Sequence, residues 1–175
     1  MKPKDFIKTL QRKIAITAVG PSAVRGQGKG VLRISQNFLA KMSLARVPKS
    51  SSKRYQIWLD RQTELLLNTL PIKNRPWGAA RKVINLFMRD ALYNKYLSTQ
   101  FKLKSIENWL EIPLDSVVAN GLKSLGYRGE LPQWPGLKKL KPNINECFQA
   151  FASKQATSKG IARVHLDMYL WLNNR

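Results

Sequence analysis

The sequence predicts an all-α fold, a helical bundle of two small lobes, and three observations carry that prediction. Apolar residues recur at helical spacing through most of the chain. No alternating apolar and polar run of useful length marks a strand. Connectors rich in Pro and Gly separate the helical stretches, which is where helices stop. Hydrophobic residues make up 43% of the 175 positions, enough to bury a core. The chain is therefore read as one domain over 1–175, with a basic N-terminal segment at 1–53 and a second part at 54–175.

In order along the chain, DFIKTLQRKIAI sets Phe6, Ile7, Leu10 and Ile14 at helical spacing with its basic residues largely on the other side. The glycine-rich VRGQGKGVLR follows, and then SQNFLAKMSLA, a helix with Ser35 as its expected cap. RVPKSSSKR reads by composition as a linker or mobile loop. YQIWLDRQTELLLNTL puts Ile57, Trp58, Arg61, Leu65 and Thr69 near one side, with Leu66 and Leu70 beside them, and Pro71 ends this helix. PIKNRPWG is a turn-rich connector, and AARKVINLFMRDALYNKYL is the strongest helix of the sequence. In LEIPLDSVVANGLKSLG, Pro113 sets the entry and Asp115 is the N-cap for Val117, Val118, Gly121, Leu122 and Leu125. YRGELPQWPGLKKLKP is a loop, and a last helix in SKGIARVHLDMYLWLNN puts Ile161, His165, Met168 and Leu172 on one face.

Charge narrows the partners. The net charge is +21, and residues 1–54 hold thirteen Lys and Arg against one acid, Asp5. A field of that size attracts polyanions, nucleic acid first. No apolar run approaches the ~20 residues of a membrane span, and MKPKDFIKTLQRK is interrupted by charge where a signal peptide would be apolar. A cytoplasmic location is expected, with the nucleoid if the source is bacterial. Cys147 is the lone cysteine and His165 the lone histidine, so neither a disulfide nor a Cys/His metal site is expected, nor any other metal or cofactor. A Ser-His-Asp site is disfavoured by the same count. Ten scattered acids also disfavour a two-metal nuclease.

The glycine loop fails both nucleotide fingerprints. A P-loop needs Gly-Lys-Ser/Thr, and Gly30 follows Gly28-Lys29; a dinucleotide loop needs a third glycine where Val31 stands. Two readings remain: a solvated connector, or a backbone that approaches DNA phosphates through Arg25, Gly26, Gly28, Lys29 and Arg33. The connector before Trp77 invites the second kind of contact as well. Its backbone N–H groups, with Lys73, Arg75, Gly78 and Arg81, form a pattern suited to phosphate, Gly78 allowing close approach.

Lys82 lies one turn beyond Gly78, and an amine desolvated by Trp77 or another ring has the lowered pKa of a nucleophile toward a sugar carbon. The plain reading is one solvated lysine among many. Asp115 caps a helix, and a carboxylate held ionised there also suits stabilising a cationic sugar. Trp134, His165 and Trp171 are candidates for a base pocket, although aromatic rings at helical spacing usually pack in a core. Asp167 is read as an ion-pair partner and nothing more.

The succession of an amphipathic helix, a hairpin beginning LP, then WGAARKVINLFMRD and EIPLDSVV resembles the helix–hairpin–helix superfamily of DNA base-excision glycosylases, nearest its 8-oxoguanine branch. The resemblance covers about a third of the chain. It implies that Gly78 is the hairpin glycine, Lys82 the Schiff-base lysine and Asp115 the catalytic aspartate. It further implies a monomer that acts on double-stranded DNA, flips a damaged base, excises it and carries an associated AP-lyase step. This chain departs from the family in a longer hairpin, in the added YLSTQFKLKSIENWL, and in Val117 where many relatives carry His. The alternative is a non-enzymatic basic DNA-binding protein.

Overall fold

A computed structural model describes residues 3–73 and 75–173. Asn74, inside the predicted hairpin, lies outside the described residues. The chain is all-α: α1 (Pro3–Ala18), α2 (Val31–Lys41), α3 (Ser52–Thr69), α4 (Trp77–Tyr93), α5 (Lys95–Phe101), α6 (Ser116–Leu125), α7 (Pro142–Thr157) and α8 (Leu166–Asn173). Short 3-10 turns at Pro21–Val24, Leu44–Arg46, Leu103–Trp109 and Arg163–His165 link them. Among the described residues there is no strand, and no helix is long and apolar enough to cross a membrane.

Helix α4 is the spine. Every residue from Gly78 to Met88 is buried, the condition of a helix enclosed on all sides. Helices α1, α2, α3, α5 and α7 all pack on it. Two apolar clusters result. One gathers α1 to α5 with the 103–109 turn, and the other gathers α6, α7 and α8. The boundary between them falls at Glu111, so residues 1–53 share a core with the segment up to Leu110.

Several local expectations need correction. Ser35 is not a cap: α2 begins at Val31 behind Gly30, and Ser35 is buried in mid-helix. Ser51, inside the presumed linker, is the true N-cap of α3, its Oγ accepting from the Arg54 amide. The inner face of α3 is Tyr55, Leu59, Thr63, Leu66 and Leu67, while Ile57 and Leu65 face out. Each of Leu59 and Leu66, fully buried, contributes about 1.5–3 kcal/mol of apolar burial. The last predicted helix is shorter than its sequence suggests: residues 158–165 form a turn through Gly160 and the 3-10 turn Arg163–His165, α8 starts at Leu166, and Val164, Leu166 and Leu170 point inward while Met168 and Leu172 face out.

In the glycine loop Gly26, Gly28 and Gly30 have φ of +73°, +111° and +84°, a region where a side chain is strained. The alternate glycines thus serve backbone geometry. Gly78 serves packing instead. A Cβ there would stand 2.6 Å from the Leu137 carbonyl oxygen and 2.7 Å from Leu140 Cβ, so the loop 126–141 lies directly on the start of α4. Gly78→Ala should therefore lower stability by roughly 1–3 kcal/mol, as overpacking does, read as a lower thermal midpoint with unchanged far-ultraviolet circular dichroism at low temperature.

Candidate functional site

Successive residues of α4 turn by about 100°, so Arg81 and Lys82 serve different flanks. Arg81 and Asn85, one turn apart, form one polar cluster. Lys82, Arg89 and Tyr93 share another face and form a second.

On the first flank Arg81 is buried, 2% exposed. Its Nε and Nη2 donate to the two oxygens of Glu111, each at 2.8 Å, and its Nη1 donates to Asp60 at 2.8 Å and Thr63 at 3.0 Å. Asn85 and Gln56 also donate to Glu111. Burial pushes the Glu111 carboxyl up, but the Arg81 hydrogen bonds and charge, with Asn85 and Arg163, outweigh it and hold the group below its ordinary range. The Trp77 ring covers the Arg81 guanidinium, 5.4 Å from it. Two sequence expectations fall here. Arg81 is not placed to serve DNA phosphate, because it is buried and four of its five N–H groups donate inside the protein. Trp77 covers Arg81 and not Lys82.

Glu111 begins the extended run Glu111 to Asp115, which crosses from one flank of α4 to the other. Gln149 on α7 clasps it, accepting from the Ile112 amide at 3.0 Å and donating to its carbonyl at 2.8 Å. Arg163 donates to the carbonyls of Trp109 and Leu110, each at 2.9 Å. These side chains stand in for a missing sheet or helix partner.

Asp115 then reaches the second flank. Its Oδ1 accepts from the Val118 amide at 3.0 Å, the predicted cap, and its Oδ2 lies 3.1 Å from Lys82 Nζ. One oxygen holds the helix and the other holds the amine. Lys82 is buried and Asp115 partly open to solvent. Asp167, buried at the start of α8, pairs with Arg89, which also donates to Asp90 at 2.7 Å. Burial raises the Asp167 carboxyl, Arg89 lowers it, and the charges of Asp115 and Lys82 both act on it. Asp167 is therefore part of the group around Lys82, more than the simple ion pair expected of it. Farther along, Tyr93 Oη and Glu107 Oε1 flank His165, each 2.9 Å from one ring nitrogen.

The other expected residues distribute as follows. Gly78 is covered by Leu137 and Leu140 and cannot approach a phosphate. Arg75 folds back to the Leu70 and Asn68 carbonyls at the end of α3. Trp134 meets Phe148 edge to face at 5.6 Å, a core contact in place of the expected pocket contact. Trp171 lies one turn beyond Asp167 on α8. Lys73, Arg25, Gly26, Gly28, Lys29 and Arg33 are exposed. A cleft of about 440 Å³ opens beside Trp77, Arg81 and Glu111; Lys82 and Asp115 are not in its walls. Glu111, Gln149 and Arg163 escaped the sequence reading. The available signal was a single carboxylate within the apolar run Leu110 to Leu114 and an arginine within an apolar helix, both marks of a buried pair.

Removing one partner of such a pair is costly, so Glu111→Gln should lose about 3–5 kcal/mol at neutral pH. Glu111 and Glu107 ionise more readily in the folded chain. Their contribution is complete above the unfolded value of about 4.3 and is lost as pH falls through the folded values. Asp167, raised by burial, has the opposite sign and favours the folded state on protonation. Thermal midpoints measured from neutral pH downward should fall for the parent protein and fall less steeply for Glu111→Gln.

No family model, curated protein or solved structure matches the chain.

Proposed function

We propose that this protein is a DNA glycosylase with an associated AP-lyase step, monomeric on double-stranded DNA, using Lys82 as nucleophile and Asp115 as its carboxylate partner. The observation that carries the reading is the contact between Lys82 and Asp115 at 3.1 Å across 33 residues of sequence. An amine and a carboxylate fixed on two helices suit attack at a sugar carbon. The carboxylate takes the ammonium proton, or offsets positive charge on the sugar. The net charge of +21 supports a polyanionic substrate.

In the proposed course the duplex is held by Arg25, Lys29, Arg33 and Lys73 and a damaged nucleotide is turned out of the stack. The α3–connector–α4 unit acts as the helix–hairpin–helix element through the backbone of its tip. The Lys82 nitrogen bonds to C1′ as the bond from C1′ to the base breaks, and the base leaves with the electron pair. Opening of the sugar ring gives a protonated imine. Loss of a C2′ proton then breaks the C3′–O bond and releases the 3′ phosphate, and water returns the free amine. A damaged purine such as 8-oxoguanine is the substrate that the sequence resemblance favours. The competing reading, a non-enzymatic duplex-binding protein, is favoured by the 440 Å³ cleft opening on the Arg81 flank and not at Lys82.

Two experiments separate them. Borohydride added during reaction with a panel of lesion-bearing duplexes should trap a covalent protein–DNA adduct, and Lys82→Gln should abolish it with DNA affinity held within a few-fold. No adduct and no base release on any lesion would favour the binding protein. Asp115→Asn keeps a cap of nearly equal strength but leaves the buried Lys82 amine without its carboxylate, a loss of up to about 3 kcal/mol, so excision is compared well below both thermal midpoints. Base excision should nonetheless fall by roughly 10²-fold. Unchanged excision would reduce Asp115 to a cap.

A further inference from the structure

A second cleft, of about 740 Å³, lies between the first half of α1, the end of α2 and Phe101 at the end of α5. Its floor is apolar: Met42 and Leu44 are buried, and Ile7, Ala40 and Phe101 are half-buried. Its rim carries Lys8 and Arg12, one turn apart on α1, and Lys41 on α2, all exposed. Among the described residues no Asp or Glu lines it, and Lys8, Arg12 and Lys41 enter none of the ion pairs, so no salt bridge ties up their charge.

The end of α2 would ordinarily oppose an anion here, because terminal carbonyls carry partial negative charge. Gln11 offsets part of that charge. Its buried Nε2 donates to the carbonyls of Leu39, Ala40 and Met42 at 3.0, 3.3 and 2.7 Å. What remains is a concave apolar floor under three free cations. A duplex backbone offers charge to such a rim but nothing apolar to fill the floor. A single strand needs successive stacking rings, and Phe101 is the one aromatic residue in the wall. A peptide with carboxylates beside a bulky apolar side chain matches both features.

We propose that this groove docks an acidic peptide segment of a partner protein, its apolar side chain against Ile7 and Phe101 and its carboxylates toward Lys8, Arg12 and Lys41. This interaction is independent of any chemistry at Lys82.

Fluorescence polarisation with the full chain and a labelled peptide, a short run of aspartates ending in a C-terminal phenylalanine, tests it. The triple variant Lys8→Glu, Arg12→Glu, Lys41→Glu should weaken binding at least about tenfold. Ala45→Phe, which fills the groove from an exposed wall position without changing charge, should do the same. So should replacing the peptide's phenylalanine with alanine. Circular dichroism checks that both variants keep their helices. Peptide affinity unchanged in either variant, or indifferent to the phenylalanine, would overturn the proposal. Loss of oligodeoxynucleotide binding in both variants with peptide binding intact would reassign the groove to nucleic acid.

Discussion

The fork between Arg81 and Glu111 is the constraint on which the rest of the molecule depends. A guanidinium and a carboxylate buried together stay charged only if nearly every lone pair and N–H is met. Here Thr63, Asp60, Asn85 and Gln56 complete the set. The fork ties α4 to α3 on one side and to an extended segment on the other. That segment has no ladder or helical bonding of its own; Gln149 supplies what it lacks at Ile112, and Arg163 anchors the Trp109 and Leu110 carbonyls just before it. Fixing Glu111 fixes Asp115 four residues on, so the contact with Lys82 inherits its precision from a pair on the opposite flank.

Helices α1, α3, α4 and α6 were legible because their periods are local, whereas α7 was not picked out and the helix read through Leu97 breaks at Asn94 into α4 and α5. Asp115 before two valines announces an N-cap, and the apolar density of α4 announces burial. Flank assignment was not legible. Arg81 and Lys82 are adjacent basic residues, and counting charge gives both the same meaning; only tertiary placement sends one to a carboxylate fork and the other to Asp115. Gly78 misled for a related reason. A glycine next to a turn marks close approach, but the sequence does not say whether the approaching group is a phosphate or, as here, the backbone of Leu137. The pairing of Lys82 with Asp115 came from family resemblance, and no spacing rule joins positions so far apart. On α3 the apolar residues are numerous enough to define two faces, and the buried one begins at Tyr55, two residues and so about 200° of helical rotation before Ile57, where the stripe that periodicity picked out begins.

Asp115 also shows how one side chain can be both structural and chemical. Its two oxygens point to different partners, Val118 and Lys82. A hydroxyl could cap, but it has no second charged oxygen to hold an amine. Asp167 and Arg89 deepen the same region by setting a further ion pair within electrostatic reach. The polar groups near Lys82 thus come from α4, α6 and α8, three elements that meet there and are otherwise held in two separate apolar clusters.

The enclosure of α4 has a consequence for how the protein breathes. Amides of a helix buried on every side exchange with solvent only through the largest openings of the chain, whereas α6 is ten residues long and buries one face alone, through Val118, Ala119, Gly121 and Leu122. Lys82 is therefore expected on the slower-exchanging backbone of the two and Asp115 on the one that opens sooner. Sub-global opening of the second cluster would separate the pair without disturbing the lysine's own helix, and a ligand bridging the two would slow exchange in α6 far more than in α4.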